Sequence, residues 1–194
     1  MSGSDVADRV ARAMAAQPRH RFLLPHDRLR AGLDLPLPIG HGQTNSQPST
    51  VAAMLALLEV PVGARVLDVG AGSGWSTALL AELTGPSGSV LGLERVPELV
   101  TFGADNVARA GMPWARVAAA APGVLGAPEE APFDRILVSA AAQTLPSALV
   151  AQLAPGGVLV VPVSGRMVRV RLGDDGTVRA SEHGGYLFVP LIED

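Results

Sequence analysis

Cysteine is absent from all 194 residues of this chain, which excludes disulfides, zinc-thiolate centres and cysteine nucleophiles and fits a reducing compartment. Aromatic residues are scarce, at 4%, so the stacking platforms that hold single-stranded nucleic acid have no counterpart. Long runs of one charge are missing as well. Fifteen basic residues against eighteen acidic ones leave a formal charge of -3, without the electrostatic footprint of a polyanion binder. Nucleic acid is therefore not an expected partner. No segment approaches the roughly 18 uncharged apolar residues of a membrane helix; the richest run, GGVLVVPV at 156–163, is strand length. The first residues carry Asp5, Asp8, Arg9 and Arg12 where a secretory signal needs an unbroken apolar stretch. The expected location is the cytoplasm, with no membrane partner. His20, His26, His41 and His183 show no ligand spacing, and no metal site is expected.

Hydrophobic residues make up 48% of the chain, enough for one domain of this length to bury about 70% of its extended surface. Residues 5–16 carry Val6, Val10, Ala13 and Met14 at helical spacing, and Pro18 ends that helix. Residues 18–48 are rich in proline, glycine and polar side chains, and so long an aperiodic segment reads as a lid or binding loop. A helix opening at Pro48 and running over 51–58 follows. Then RVLDVG (65–70), SVLGLE (89–94), ARVAAA (115–120), RILVSA (135–140) and GGVLVVPV (156–163) alternate with helical stretches at 75–83, 97–110 and 146–153. That alternation predicts an α/β fold, a doubly wound and mostly parallel sheet. MVRVRLGDDGTVRA reads as an antiparallel hairpin turning at Asp174, Asp175 and Gly176, and YLFVPL as one more strand. A single domain results, with a helix and lid over 1–60, a Rossmann-like core over 61–163 and a hairpin over 164–194.

The strongest local signal is RVLDVGAGSGW (65–75), a strand running into a glycine-rich turn and a helix. Ligands of such units sit at the strand's carboxyl end, where backbone N–H groups are free. A dinucleotide fingerprint starting at Gly70 needs glycine at 75, and this chain has Trp75; no G-K-[ST] follows, so the nucleoside triphosphate motif fails too. What remains is D-x-G-x-G-x-G, with Asp68 ahead of Gly70, Gly72 and Gly74. A carboxylate at a strand end suits a cationic amine, and bare glycines let a ligand lie against the backbone. Glu94 ends the next strand, where it can accept both hydroxyls of a ribose. A ribose, an ammonium and no phosphate describe S-adenosylmethionine.

Over nearly its whole length the chain resembles the protein-L-isoaspartate O-methyltransferases. PRHRF (18–22), LPLPIGHGQTNSQPSTVAAM (35–54), VLDVGAGSGW (66–75), LERVPEL (93–99), EEAPFDRILVSAAA (129–142), QLAPGGVLVVPV (152–163) and FVPL (188–191) carry the likeness. IGHGQT-x-SQP is the most specific of these. The resemblance implies a carboxyl methyltransferase acting on isoaspartyl residues of damaged proteins or peptides, a monomer more readily than an oligomer. It implies a donor site of Gln43, Thr44, Asp68, Gly70, Ala71, Gly72, Gly74, Glu94, Arg95 and Gly123. Substrate contacts fall to Thr44, Ser46 and His41, with Ser46 as the active-site serine beside the acceptor carboxylate. The residues themselves leave a second role for Ser46, a helix cap just ahead of Pro48.

Three stretches depart from the family pattern. Ala121, Pro122 and Gly123 stand where G-D-G is usual, Asn45 where isoleucine is usual, and Gly32 and Leu33 where an aromatic precedes the PLPIG run. Pro122 offers neither a side-chain acceptor nor a backbone donor to an adenine amino group, a loss of about 0.5–1.5 kcal/mol where water can take its place. Two alternatives follow from these departures: a relative methylating one dedicated peptide or small molecule, or a non-catalytic module without donor affinity.

Overall fold

A computed structural model describes residues 3–192; residues 1–2 and 193–194, the outermost ends of the first and last segments, lie outside the described residues. The chain opens with α1 (Gly3–Ala16), which buries Val6, Val10 and Ala13, the i, i+4, i+7 stripe of an amphipathic helix. The long polar segment is more ordered than its composition suggests. Two 3-10 turns, Arg19–Phe22 and Pro25–Arg30, lead into an antiparallel hairpin of β1 (Leu37–Gly40) and β2 (Gln43–Asn45).

Helix α2 (Pro48–Leu58) starts with proline at a position whose N–H has no intrahelical partner in any case. Its open N-terminus is met from outside, by Asp34 Oδ1 accepting from the Ser49 N–H at 2.9 Å. There follow β3 (Arg65–Val69), α3 (Trp75–Thr84), β4 (Ser89–Glu94), α4 (Pro97–Arg109), β5 (Ala115–Ala119), β6 (Phe133–Val138), a short α5 (Ser147–Val150), β7 (Leu153–Val163), β8 (Arg166–Leu172) and β9 (Val178–Gly185).

Seven strands form one sheet in the order β5-β4-β3-β6-β7-β8-β9. The first five in that order are parallel, and β8 and β9 add antiparallel. The C-terminal hairpin thus extends the central sheet rather than standing apart from it. Buried runs such as Val66 to Val69 and Val158 to Val161 are apolar on both faces, apart from Asp68, because α1, α2 and α3 cover one face while Leu125, Leu149 and their neighbours cover the other. The strand order reverses at β3, between β4 and β6, and that switch point opens a crevice at the strands' carboxyl ends.

Two expectations change. The helix over 146–153 shrinks to Ser147–Val150, and β7 begins at Leu153, ahead of Pro155 and Gly156. YLFVPL is not a ladder strand: it makes one isolated bridge, Pro190 to Ala141. Its backbone nevertheless docks on the sheet's top edge, with Ala141 N–H donating to Val189 O at 2.7 Å and Leu191 N–H to Ala141 O at 2.8 Å.

Candidate active site

The turn after β3 owes its shape to close backbone contacts. Gly74 has φ 82°, and a Cβ there would lie 2.8 Å from Gly103 O; a Cβ on Gly103 would lie 2.7 Å from Gly72 O. Glycine at both positions lets α4 press against the turn, holding the backbone of Gly70, Ala71, Gly72 and Ser73 up into the crevice. Gly74 therefore packs against α4 and does not reach the cavity wall.

The cavity at the switch point is lined by those four residues, by Glu94 and Arg95 at the end of β4, and by Ala120, Ala121, Pro122 and Gly123 after β5. Ser139 and Ala140 follow β6, Gln43, Thr44, Asn45 and Ser46 come down from the lid, and Val189, Pro190, Leu191 and Ile192 arrive from the C-terminal tail. His41 is elsewhere. It sits at the exposed tip of the β1–β2 hairpin, at φ 54°, with Nδ1 3.9 Å from Glu98 Oε2.

Glu94 is 6% exposed and holds the crevice together. Its Oε2 accepts from Gly72 N–H at 2.9 Å, and its Oε1 accepts from Arg95 N–H at 2.8 Å and Val96 N–H at 2.9 Å. It is not a solvated strand end.

Asp68 behaves differently. Strand alternation turns its side chain to the same face as Val66, under α3, so Oδ2 accepts from the Ser76 and Thr77 hydroxyls, each at 2.7 Å. Its Oδ1 is buried with no hydrogen-bond partner, and the side chain, turned under α3, does not reach the cavity wall where the donor site was expected to place it. Burial pushes this carboxyl up to about 6; the two hydroxyls pull it down, and the charge of Glu94 pushes it up further. An acid whose pKa rises from 3.8 to about 6 on folding contributes most stability below pH 4 and loses that contribution as pH climbs through 6. Asp68→Asn is therefore expected to flatten the decline in melting temperature between pH 4 and 6, measured against the wild type in parallel melts. Identical pH slopes in the two proteins would show that Asp68 ionises as freely folded as unfolded.

Ser46 does not cap α2. The cap position belongs to Gln47, which makes no side-chain cap, and the Ser49 N–H goes to Asp34. Ser46 is instead half-buried on the cavity wall, its carbonyl accepting from Arg19 Nη2 at 3.0 Å.

Arg19 is a residue that sequence reasoning did not place in the site. It is 5% exposed. Nε donates to Asn45 Oδ1 at 2.6 Å, Nη1 to Leu33 O at 3.0 Å, and Nη2 to Leu35 O at 2.9 Å and Asn45 O at 3.0 Å. Its guanidinium lies 5.6 Å from the centre of the Trp75 ring, while Trp75 Nε1 donates to Gln17 O at 2.9 Å. Burial lowers the Arg19 pKa to about 10, opposed by the charge of Asp34, so it remains a cation at neutral pH. The tail residues 189–191 were legible only as part of the family likeness, not as a wall, and Ile192 not at all.

Among the described residues no cluster of histidine, aspartate or glutamate could hold a metal ion. The crevice thus combines a glycine floor, a backbone-anchored carboxylate on one side and the hydroxyls of Thr44 and Ser46 on the other. Such a site can hold an uncharged polyhydroxylated group against Glu94 and orient a carboxylate from the lid.

Comparison with known proteins assigns the family. The model of the family described as protein-L-isoaspartate(D-aspartate) O-methyltransferase matches residues 2–194. A protein-L-isoaspartate O-methyltransferase of Methanopyrus kandleri is 46% identical over 190 residues, covering 96% of this chain and 84% of the relative. One of Aeropyrum pernix is 46% identical over 195 residues, covering 98% and 75%. Among solved structures, a Plasmodium falciparum beta-aspartate methyltransferase in complex with S-adenosyl-L-homocysteine superimposes with a TM-score of 0.81 at 29% identity, over 96% of this chain and 91% of that one.

Proposed function

Because this chain belongs to the protein-L-isoaspartate(D-aspartate) O-methyltransferase family, we propose that its crevice holds S-adenosylmethionine on the glycine floor and an isoaspartyl carboxylate beneath the lid. The observation that carries this reading is that Glu94, Gly70, Ala71, Gly72 and Ser46 all line one cavity. Glu94 takes a ribose hydroxyl with the acceptor capacity that its three backbone bonds leave free, and the cationic amine lies against the turn backbone, since Asp68 is fully buried and does not line the cavity. Ala121, Pro122 and Gly123 line the base end without a side-chain hydrogen-bonding group. These residues fit the donor that the fold family uses. S-adenosylmethionine supplies an electrophilic methyl group on a sulfonium.

An isoaspartyl residue carries a free carboxylate, ionised at neutral pH with a reference pKa near 4, so no general base is needed. The protein's work is positioning, which in good cases is worth roughly 7–11 kcal/mol. Ser46, with Thr44 beside it, holds one carboxylate oxygen so that the other faces the methyl group. The tail at 189–192 lines the same cavity. The chain acts as one domain and a monomer in the cytoplasm; the formal charge of -3 and the absence of a membrane-length helix among the described residues support partners other than nucleic acid or membrane.

The test is transfer of labelled methyl from S-adenosylmethionine to an isoaspartyl peptide and to its aspartyl isomer. Transfer to the first alone, as a base-labile ester, is expected. Ser46→Ala is expected to lower kcat/KM for the isoaspartyl peptide at least tenfold while the Kd for S-adenosylhomocysteine moves less than twofold, since its hydroxyl acts on the attacking group. Equal transfer with and without that hydroxyl would remove Ser46 from the site.

A further inference from the structure

We propose that Asn45 is a positioning residue that couples donor binding to acceptor binding, by tying the lid segment carrying Ser46 to the glycine turn. The proposal rests on the reading above that the turn meets the donor and Ser46 the acceptor. Asn45 is 4% exposed. Both ends of its side chain are used. Arg19 Nε can only donate, so it fixes Oδ1 as the atom facing it, at 2.6 Å. The other end, Nδ2, then donates to Ser73 Oγ at 3.0 Å.

Each end is anchored in turn. Arg19 Nη2 also holds the carbonyls of Asn45 and Ser46, both at 3.0 Å, so the guanidinium, the Asn45 amide and the backbone on either side of the 45–46 peptide form one buried unit. Ser73 is fixed from the far side, its carbonyl accepting from Asn106 Nδ2 at 2.9 Å. It directly follows Gly72, whose N–H is held by Glu94. A ligand that settles on Gly72 and Glu94 therefore restrains Ser73, and through Asn45 it restrains the residue next to Ser46. The acceptor then meets a loop whose ordering cost is already met, and linkage requires the same factor in the opposite direction.

Calorimetric titration of the whole chain tests this. Kd for S-adenosylhomocysteine is measured alone and with a saturating isoaspartyl peptide. The wild type is expected to bind about fivefold tighter or more in the presence of peptide. Asn45→Leu and Ser73→Ala should each bring that ratio below about twofold. Asn45→Asp should keep most of it, because a carboxylate still accepts from Arg19 and can accept from the Ser73 hydroxyl. The ratio is unmoved by a uniform loss of affinity or stability, and Ser73→Ala decides the matter if Asn45→Leu does not fold. A wild-type ratio below two with both ligands bound, or a ratio that survives in Ser73→Ala, overturns the coupling. Wild-type protein that binds no isoaspartyl peptide at all instead overturns the functional reading on which it rests.

Discussion

Glu94→Ala is expected to weaken S-adenosylhomocysteine binding by about tenfold to a hundredfold, roughly 1.5–3 kcal/mol for a hydrogen bond to a charged group. Two losses combine. A carboxylate has about four lone-pair sites, and the N–H groups of Gly72, Arg95 and Val96 occupy three of them. The remaining capacity faces the cavity and is what a ribose would use. Truncation removes that acceptor and also frees the glycine turn from the end of β4, so the floor of the site is no longer preorganised. Glu94→Gln separates the two contributions poorly, and that is informative. Its NH2 group would have to face either the Gly72 N–H or the paired Arg95 and Val96 N–H groups, donor against donor. The amide variant is therefore expected to bind nearly as weakly as the alanine variant, whereas at an exposed strand end it would be neutral. Affinities within twofold of wild type in both variants, measured below their melting temperatures, would refute the role of Glu94.

The parts of this site that could be read in the sequence are those whose structure is local. RVLDVGAGSGW declares a strand, a turn needing positive φ and a helix within eleven residues, and Glu94 follows one strand later at an offset that parallel topology fixes. The lid was harder. Strands of four and three residues in the β1–β2 hairpin are too short to show a period. The start of β7 at Leu153 was hidden because 146–153 reads as helix and Pro155 as a break before the expected strand at 156. There the pairing with β6 shifts register between Phe133 and Arg135, and a bulge tolerates Pro155 and Gly156. YLFVPL looked like a strand because it is apolar, but Pro190 cannot donate to a ladder, and the segment serves as a wall. Asp68 was legible as a site residue by spacing, yet its rotation under α3 follows from strand alternation and from Ser76 and Thr77, which no motif specifies. Arg19 was the least legible of all: its acceptors lie 14 to 27 residues further along the chain, and an arginine in a polar segment gives no sign that it will be buried.

That same burial makes Arg19 the position where substitution should cost most. Arg19→Leu keeps bulk and removes every donor. The carbonyls of Leu33, Leu35, Asn45 and Ser46, together with Asn45 Oδ1, then lose a charged partner inside the protein, and each unsatisfied buried acceptor costs about 1–3 kcal/mol. Their sum cannot be realised in full, because the lid opens and lets water in once the total passes the free energy of local unfolding. The expected result is therefore local. Hydrogen exchange over residues 31–46 should accelerate by at least a hundredfold while the strands β3, β4 and β6 keep most of their protection. Methyl transfer to an isoaspartyl peptide should fall at least a hundredfold, because Ser46 is no longer held. Arg19→Lys is not a rescue, since one ammonium has three donors at a single point and cannot span acceptors that a planar fork reaches from both edges; it should recover well under a tenth of the lost activity. The donor half of the site depends on Glu94 and the glycine turn, so S-adenosylhomocysteine should still bind to Arg19→Leu, within about tenfold of wild type. Transfer retained within fivefold, with unchanged exchange in the lid, would mean that the hairpin and the Asp34 contact to Ser49 hold the lid without the guanidinium.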